Sequence, residues 1–204
     1  MPADEMTRNR MQTVFSREDD VKRLIHRCLL VAILIPAFGV AAELADIRNY
    51  KAYSSAFASS GQPSEEQLGA VSSAGFEQVI YIAMSNSRGA LAGEDAIVKE
   101  LGMDYVHVPV IWDAPSMADF YAFASIMQRD PGRKTLLHCA ANYRASAFAF
   151  LYRVIYEGVP VAVAKADMNE IWRPNETWRN LIFEVLADNG ISPDCEGCDW
   201  SSDD

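Results

Sequence analysis

Short runs of apolar residues alternate along this chain with stretches in which apolar positions recur every three to four residues. The amphipathic stretches have the length and period of helices, and the apolar runs have the length of strands. Strands that alternate with helices form βαβ units, in which the connected strands run parallel. The pattern therefore predicts an α/β fold with a mostly parallel central sheet flanked by helices. We interpret three runs as strands: Gln78–Ala83, Tyr105–Val110 and Lys134–His138.

Capping residues indicate where the predicted helices begin. Ser64 starts a helix that has Gln67 at the capping-box position. Ser116 caps a second helix, which continues to about Gln128. The segment Ser59–Pro63 is rich in turn-forming residues and is predicted to be a turn. Further helices are predicted over Glu94–Leu101, Ala145–Tyr156, Val161–Glu170 and Pro174–Ala187.

The first 42 residues have a different pattern. An apolar run of 15 residues, Cys28–Ala42, follows a basic flank and ends in small residues. A membrane-spanning helix needs about 20 apolar residues, whereas a basic flank, a shorter apolar run and a small-residue ending are the parts of a secretory signal peptide. Residues 1–42 are therefore predicted to be a signal peptide, and the protein to be exported, most simply to the periplasm. An uncleaved N-terminal anchor and a buried core helix are the alternatives.

Half of the 204 residues are apolar, which is enough for one well-packed core. We predict one domain over residues 43–190 and an acidic tail over residues 191–204. Cys195 and Cys198 form a CxxC pair in this tail. The pair is compatible with a local disulfide, with half of a metal site, or with no special role. Because no histidine lies near it, no metal is expected there.

The net charge of −10 restricts the partners of the protein. Nucleic acids and other polyanions need a broad basic surface, so we expect no nucleic-acid binding. A small phosphorylated group needs only a local positive pocket. A membrane contact is expected only if the N-terminal segment stays uncleaved.

The segment His138–Ser146 combines the features of an anion-binding catalytic loop. Cys139 directly follows a predicted strand, at the edge where ligands bind to parallel sheets. Backbone N–H groups of a short loop and of a helix N-terminus converge there, and the helix dipole adds about half a positive charge. Such a nest stabilises a cysteine thiolate as a nucleophile. Arg144 can offer a planar fork to two oxygens of a tetrahedral oxyanion.

These residues resemble the active site of the cysteine-dependent protein phosphatases, in particular their small bacterial dual-specificity-like branch. The resemblance extends from about Tyr53 to Leu186 and includes the Cys…Arg loop. It implies a cysteine-phosphatase-like fold and hydrolysis of phosphate monoesters through a cysteinyl-phosphate intermediate, without a metal or cofactor. The expected substrate is a phosphorylated protein or a small phosphoester. Other matching segments are Ser60–Ser64, Val108–Pro115 and Ile171–Trp178.

The resemblance assigns a role to each residue of the predicted site. Cys139 is the expected nucleophile, Arg144 binds the phosphoryl oxygens, and Asp113 is the general acid that protonates the leaving oxygen. Asp119 is a weaker candidate for the acid. The supporting residues are His138, expected to donate to loop carbonyls, and Ser146, expected to donate to the sulfur. The predicted phosphate-binding loop comprises Ala140, Ala141, Asn142, Tyr143 and Arg144.

The loop departs from the family pattern in its length. Four residues instead of five separate Cys139 from Arg144, and the loop contains no glycine. Asn142 is the best substitute for a glycine, because asparagine tolerates the left-handed backbone region. Two alternatives to a phosphatase follow from this departure. One is a phosphate-binding module with little or no catalysis, and the other is a rhodanese-like sulfurtransferase, whose active loop has the same Cys-x4-Arg spacing.

Overall fold

The computed structural model of the protein describes residues 43–202, and the predicted signal peptide lies outside this range. Within it, five strands form one sheet in the order β1-β2-β5-β3-β4. Strands β2, β5, β3 and β4 are parallel to one another, and β1 pairs antiparallel with β2 at one edge. The predicted α/β fold with a mostly parallel sheet is confirmed. The strands are β1 (Lys51–Ala52), β2 (Phe57–Ser60), β3 (Gln78–Tyr81), β4 (Asp104–His107) and β5 (Thr135–His138).

Helices cover both faces of this sheet, as the alternating pattern predicted. The predicted capping box is present, because Ser64 exchanges hydrogen bonds with Gln67, and the predicted cap Ser116 forms a second box with Asp119. Each box satisfies two backbone N–H groups at its helix start. The helices are α1 (Glu65–Ser73), α2 (Glu94–Glu100), α3 (Met117–Arg129), α4 (Tyr143–Ile155), α5 (Val161–Asn169) and α6 (Glu176–Asp188).

The central strand β5 separates two hydrophobic cores. Its side chains alternate between the faces of the sheet, so Leu137 packs into the core formed with α3, α4 and α6, whereas Leu136 packs into the core formed with α1 and α2. Both leucines are fully buried, and each such side chain contributes about 1.5–3 kcal/mol to folding. Alternation also places His138 on the α1/α2 face. This orientation becomes important at the active site.

Four predicted element boundaries are wrong. Ser59 and Ser60 were predicted in a turn but extend β2, where they pair with Leu137 and His138 of β5. The third and fourth strands end earlier than predicted, at Tyr81 and His107. Helix α4 begins at Tyr143 instead of Ala145, because the residue before it, Asn142, turns the chain directly into the helix.

The C-terminal segment packs against the domain. The Trp200 ring makes edge contacts with Phe150 of α4 and Phe183 of α6, at centroid distances of 5.8 and 5.1 Å. Cys195 and Cys198 form a local disulfide, one of the three possibilities the sequence left open. Within residues 43–202, no helix has both the length and the apolar character needed to cross a membrane.

Candidate active site

Cys139 lies at the carboxyl end of the central strand, between β5 and α4. Its side chain is buried, and it is the free cysteine of the described range. The Cys139 N–H donates to the carbonyl of Ser60 at 3.3 Å, and the Gln62 N–H donates to the carbonyl of Ala140 at the same distance. The connection between β2 and α1 thus runs alongside the loop and holds its first residues in place.

Gly61 lies at the closest approach between this connection and the loop. Its N–H donates to the Arg48 carbonyl at 2.7 Å, and its backbone bridges to Ala141. A Cβ atom at this position would lie 3.0 Å from the Arg48 oxygen and 3.2 Å from the Ala140 oxygen. A side chain here would push these backbone segments apart by a few tenths of an ångström, so glycine suits the point where they meet.

Two asparagines join the loop to the segment that precedes β1. Asn142 has a φ of 69°, so the prediction that it replaces a glycine in the left-handed region is confirmed. Its Nδ2 donates to the Asn49 carbonyl at 2.5 Å, and the Asn49 Nδ2 donates to the Ala141 carbonyl at 2.9 Å. Asn49 is itself left-handed, with a φ of 51°. This reciprocal pair, the Asn49–Asn142 clamp, stabilises a backbone turn that costs about 1–2 kcal/mol in most residues.

Arg144 occupies the first turn of α4, so the last two residues of the predicted loop are helical. Its guanidinium lies over the Trp112 ring, 5.1 Å from the centroid, and its side chain is 9% exposed. Within residues 43–202, Arg144 Nε has no hydrogen-bond partner, although it is buried. A buried guanidinium donor without a partner is costly, and an oxyanion held beside Cys139 would satisfy it.

Aromatic side chains form a wall beside Arg144. The Tyr143 and Trp172 rings stack at 4.9 Å, and Trp112 lies 5.4 Å from Trp172. Trp172 Nε1 donates to Ser146 Oγ, and Ser146 Oγ donates to the Tyr143 carbonyl, both at 3.1 Å. The expected donation from Ser146 to the sulfur is therefore not what the structure shows, because a helical hydroxyl bonds readily to a carbonyl of the preceding turn.

Asp113 follows Trp112 on the exposed loop between β4 and α3. The Trp112 carbonyl accepts a hydrogen bond from Trp178 Nε1 at 3.0 Å, which anchors the loop next to Arg144. The side chain of Asp113 is exposed. By contrast, Asp119 Oδ2 accepts hydrogen bonds from the N–H and the hydroxyl of Ser116, at 2.9 and 2.8 Å. The weaker acid candidate is thus occupied as a helix cap.

His138 is the last residue of the central strand, and its expected donation to loop carbonyls stays a prediction. Since it alternates with Leu137 and Cys139, its ring lies on the α1/α2 face, where it stacks on Tyr81 at 4.8 Å. Its Nε2 lies 3.4 Å from Glu94 Oε1. Burial, together with the charge of His107, lowers the pKa of His138 to about 3. The imidazole is therefore neutral at physiological pH.

Glu94 is a buried carboxyl group behind the loop. Its side chain is 4% exposed, and it accepts hydrogen bonds from Gln62 Nε2 at 2.6 Å and from the Tyr105 hydroxyl at 3.2 Å. These bonds favour the anion, but burial outweighs them and raises the pKa of Glu94 to about 7. Within residues 43–202, no group of three or more potential metal-ligating side chains is present.

The geometry and the comparisons with known proteins agree on the family. A family model described as a DSP-PTPase phosphatase fused to NAD⁺ kinase matches residues 32–180. The chain belongs to this family of dual-specificity-type phosphatases. A search of the curated proteins finds no match.

Solved phosphatase structures share the fold. A candidate phosphatase of the DUF442 group from Shewanella putrefaciens CN-32 is 35% identical, with a TM-score of 0.68 over 72% of this chain and 97% of that chain. Tk-PTP in its active form is 20% identical, with a TM-score of 0.57 over 69% and 95% of the two chains. PTPMT1, solved in complex with PI(5)P, is 11% identical, with a TM-score of 0.60 over 69% and 96%. The last two similarities concern the fold alone.

The structure adds residues that sequence reasoning missed. Asn49 and Glu94 contact the phosphatase loop or its supports, yet neither belongs to the motif around Cys139. Glu94 was read only as part of a helix start, where acidic residues are common. Asn49 carried no signal, because it binds the loop from 92 residues away in sequence. Gly61, by contrast, lies in Ser60–Ser64, one of the segments that resemble the phosphatase family.

Proposed function

We propose that the protein hydrolyses phosphate monoesters through a cysteinyl-phosphate intermediate on Cys139. The observation that carries the proposal is the junction of β5 and α4, which places a buried cysteine at a helix N-terminus beside a buried arginine. Arg144 Nε, without a partner in the described range, supplies a donor for a phosphoryl oxygen. Backbone N–H groups at the start of α4 supply further donors, and the helix dipole favours an anion there.

The reaction proceeds in two displacements. In the first, the Cys139 sulfur attacks phosphorus, the bond from phosphorus to the ester oxygen breaks, and Asp113 gives its proton to that oxygen. In the second, water attacks the phosphocysteine, its proton passes to the Asp113 carboxylate, and the P–S bond breaks to release phosphate. Arg144 holds the phosphoryl oxygens in both steps. No metal is required.

The thiolate owes its stabilisation to dipoles and Arg144 and not to an imidazolium. The neighbouring imidazole of His138 is neutral, because burial lowers its pKa to about 3. It also lies on the opposite face of the sheet. The positive potential at Cys139 therefore arises from the helix N-terminus and from the guanidinium above Trp112.

The substrate is a phosphorylated protein or a small phosphoester. The wall of Trp112, Tyr143 and Trp172 next to Arg144 favours a flat or apolar group on the ester oxygen. PTPMT1, which shares the fold, was solved with the phosphoinositide PI(5)P. An apolar wall beside a phosphate site suits such a ligand as well as an aryl phosphate.

We further propose that the protein is exported to the periplasm by a signal peptide over residues 1–42.

 The support for this proposal is the basic flank, the apolar run Cys28–Ala42 and its small-residue ending, all of which lie outside the described residues. N-terminal sequencing of the protein recovered from the periplasm tests it. A mature chain that starts at Glu43 supports export, and an intact N-terminus in the cytoplasmic fraction contradicts it.

The test of the phosphatase function is phosphate release from p-nitrophenyl phosphate by the full chain, with the intermediate trapped by acid quenching. We expect turnover and a phosphorylated Cys139 peptide in the mass spectrum. Sulfur transfer from thiosulfate to cyanide without phosphate release would instead identify a sulfurtransferase. Binding of inorganic phosphate with neither activity would identify a binding module.

Replacing Asp113 with asparagine separates acid catalysis from binding. An amide cannot protonate the leaving oxygen, so kcat for an alkyl phosphate should fall by about 100-fold, whereas p-nitrophenyl phosphate, whose leaving group needs little protonation, should lose less than about tenfold. Asp119→Asn is the matched control and should leave both rates nearly unchanged. Equal losses on the two substrates would remove Asp113 from the acid role.

Replacing Asn49 with alanine tests the Asn49–Asn142 clamp. The change removes the side-chain donor to Ala141. The loss of one or two hydrogen bonds that hold the loop should lower kcat/KM by about tenfold. Asn180→Ala, at an exposed position on α6, is the control. Unchanged kinetics for Asn49→Ala would show that the loop keeps its shape without the clamp.

A further inference from the structure

One buried carboxyl group contacts both segments that hold the catalytic loop. Glu94 accepts a hydrogen bond from the side chain of Gln62, whose backbone N–H donates to Ala140 of the loop. Its Oε1 also lies 3.4 Å from Nε2 of His138, the residue directly before Cys139. Glu94 thereby links the start of α2 to the strand end and to the β2–α1 connection.

The surroundings of Glu94 contain titratable groups from several elements. His138 of β5 and the Tyr105 hydroxyl of β4 face the carboxyl directly. Tyr81 of β3 stacks on His138, and His107 of β4 stacks on Tyr81 with ring centroids 5.1 Å apart. In residues 43–202, no lysine or arginine forms an ion pair with Glu94.

Without a cation beside it, a buried carboxyl group favours its neutral form. Burial accordingly raises the pKa of Glu94 to about 7, and burial lowers the pKa of His138 to about 3. At mildly acidic pH both groups are neutral. As the pH rises through about 7, Glu94 becomes an anion enclosed behind the loop, where it opposes the negative charge of the thiolate and of the phosphoryl group.

We propose that Glu94 is a positioning residue of the phosphatase site, which supports the loop through Gln62 and His138 while neutral and weakens the site when it ionises. The expected effect of Glu94 on turnover rests on the proposed phosphatase function. Its electrostatic effect on Cys139 is measurable without turnover. Glu94 itself does not touch the reacting atoms and acts only through its neighbours.

The deciding experiment compares the pH dependence of wild type and Glu94→Gln between pH 5 and 9. In wild type, kcat/KM should fall as the pH rises through about 7 and level off about tenfold lower, because the ionised form is weakened but still active. Glu94→Gln cannot ionise, so its activity relative to wild type should rise by about tenfold from pH 5.5 to pH 8.5. Glu100→Gln, at the exposed end of the same helix, is the matched control and should follow the wild-type profile.

A second measurement follows alkylation of the Cys139 peptide by iodoacetamide, read by mass spectrometry. At pH 8, Cys139 should react about tenfold faster in Glu94→Gln, because a unit negative charge at an effective dielectric constant near 20 no longer opposes the thiolate. If the two proteins showed this difference in alkylation rate but wild type released no phosphate, the proposed function would be refuted and this inference would stand. Parallel pH profiles of alkylation in the two proteins would overturn it.

Folding stability supplies a control for the same ionisation. The pKa of Glu94 is raised from 4.5, so the folded state keeps a proton that the unfolded state loses, and stability falls as the pH rises from about 4.5 to 7. The pKa of His138 is lowered from 6.5 to about 3, so the stability that the neutral imidazole contributes to the folded state is lost as the pH falls from 6.5 to 3. Glu94→Gln removes the loss of stability at rising pH and leaves the effect of His138 in place. Its Tm relative to wild type should therefore increase from pH 5 to pH 8, and an unchanged difference would contradict an ionising Glu94.

Discussion

Replacing Cys139 with serine should lower the turnover of p-nitrophenyl phosphate by at least about 10,000-fold. A serine hydroxyl needs a neighbouring base to become a nucleophile, and in the first displacement Asp113 is protonated as the general acid and cannot serve as one. His138 is adjacent in sequence, but its ring lies on the α1/α2 face of the sheet with Nε2 near Glu94. The helix N-terminus alone does not deprotonate a hydroxyl. Stopped-flow and long-incubation assays at several pH values measure this loss.

Two controls make the serine result specific. Cys139→Ser should still bind inorganic phosphate within a few-fold of wild type, since the backbone donors and Arg144 remain, and calorimetry measures this binding. The double variant Cys195→Ser, Cys198→Ser removes the distal disulfide and should retain the wild-type rate. Residual turnover above about one per cent in Cys139→Ser would contradict a cysteine nucleophile.

Replacing Arg144 with lysine should lower kcat by about 100- to 1,000-fold, the effect of losing a donor aimed at transition-state charge. Lysine keeps the positive charge but not the planar fork, and its flexible ammonium would not lie flat on the Trp112 ring. The buried guanidinium is held in one orientation by this ring. Steady-state kinetics with p-nitrophenyl phosphate measure the change.

The matched control for this substitution is Arg129→Lys, at an exposed position at the end of α3. It changes the same chemical group far from the loop and should leave kcat unaltered. Circular dichroism should show an intact fold for both variants. If Arg144→Lys retained the wild-type kcat, the guanidinium fork would have no part in binding the transferred group.

The fold could be predicted from the sequence because its signals are local. Apolar runs and helical periodicity marked the strands and helices, and side-chain caps such as Ser64 and Ser116 marked helix starts. The same holds for Asn142, because the left-handed turn before α4 is a property of one residue in a short loop. Local patterns also located Cys139 and Arg144 at a strand–helix junction.

The remaining features of the site depend on contacts between distant segments. Asn49 reaches the loop across 92 residues, and Glu94 lies 44 positions before His138 in the chain. Strand alternation determines the face on which His138 lies, but the contact with Glu94 on that face could not be predicted from the pattern. Ser146 shows the same limit, because its hydrogen bond from Trp172 arises only when α4 and the α5–α6 connection pack together.

The Asn49–Asn142 clamp restricts where the N-terminus of the mature protein can lie. Asn49 and the Arg48 carbonyl complete the catalytic loop. The predicted cleavage after Ala42 would leave both on the exported chain, with only a few residues ahead of them. Trimming by two further helical turns would remove them and expose Gly61 and Ala141. The Asn49–Asn142 clamp therefore limits how far the N-terminus could be shortened before the loop loses a support, wherever the proposed signal is cleaved.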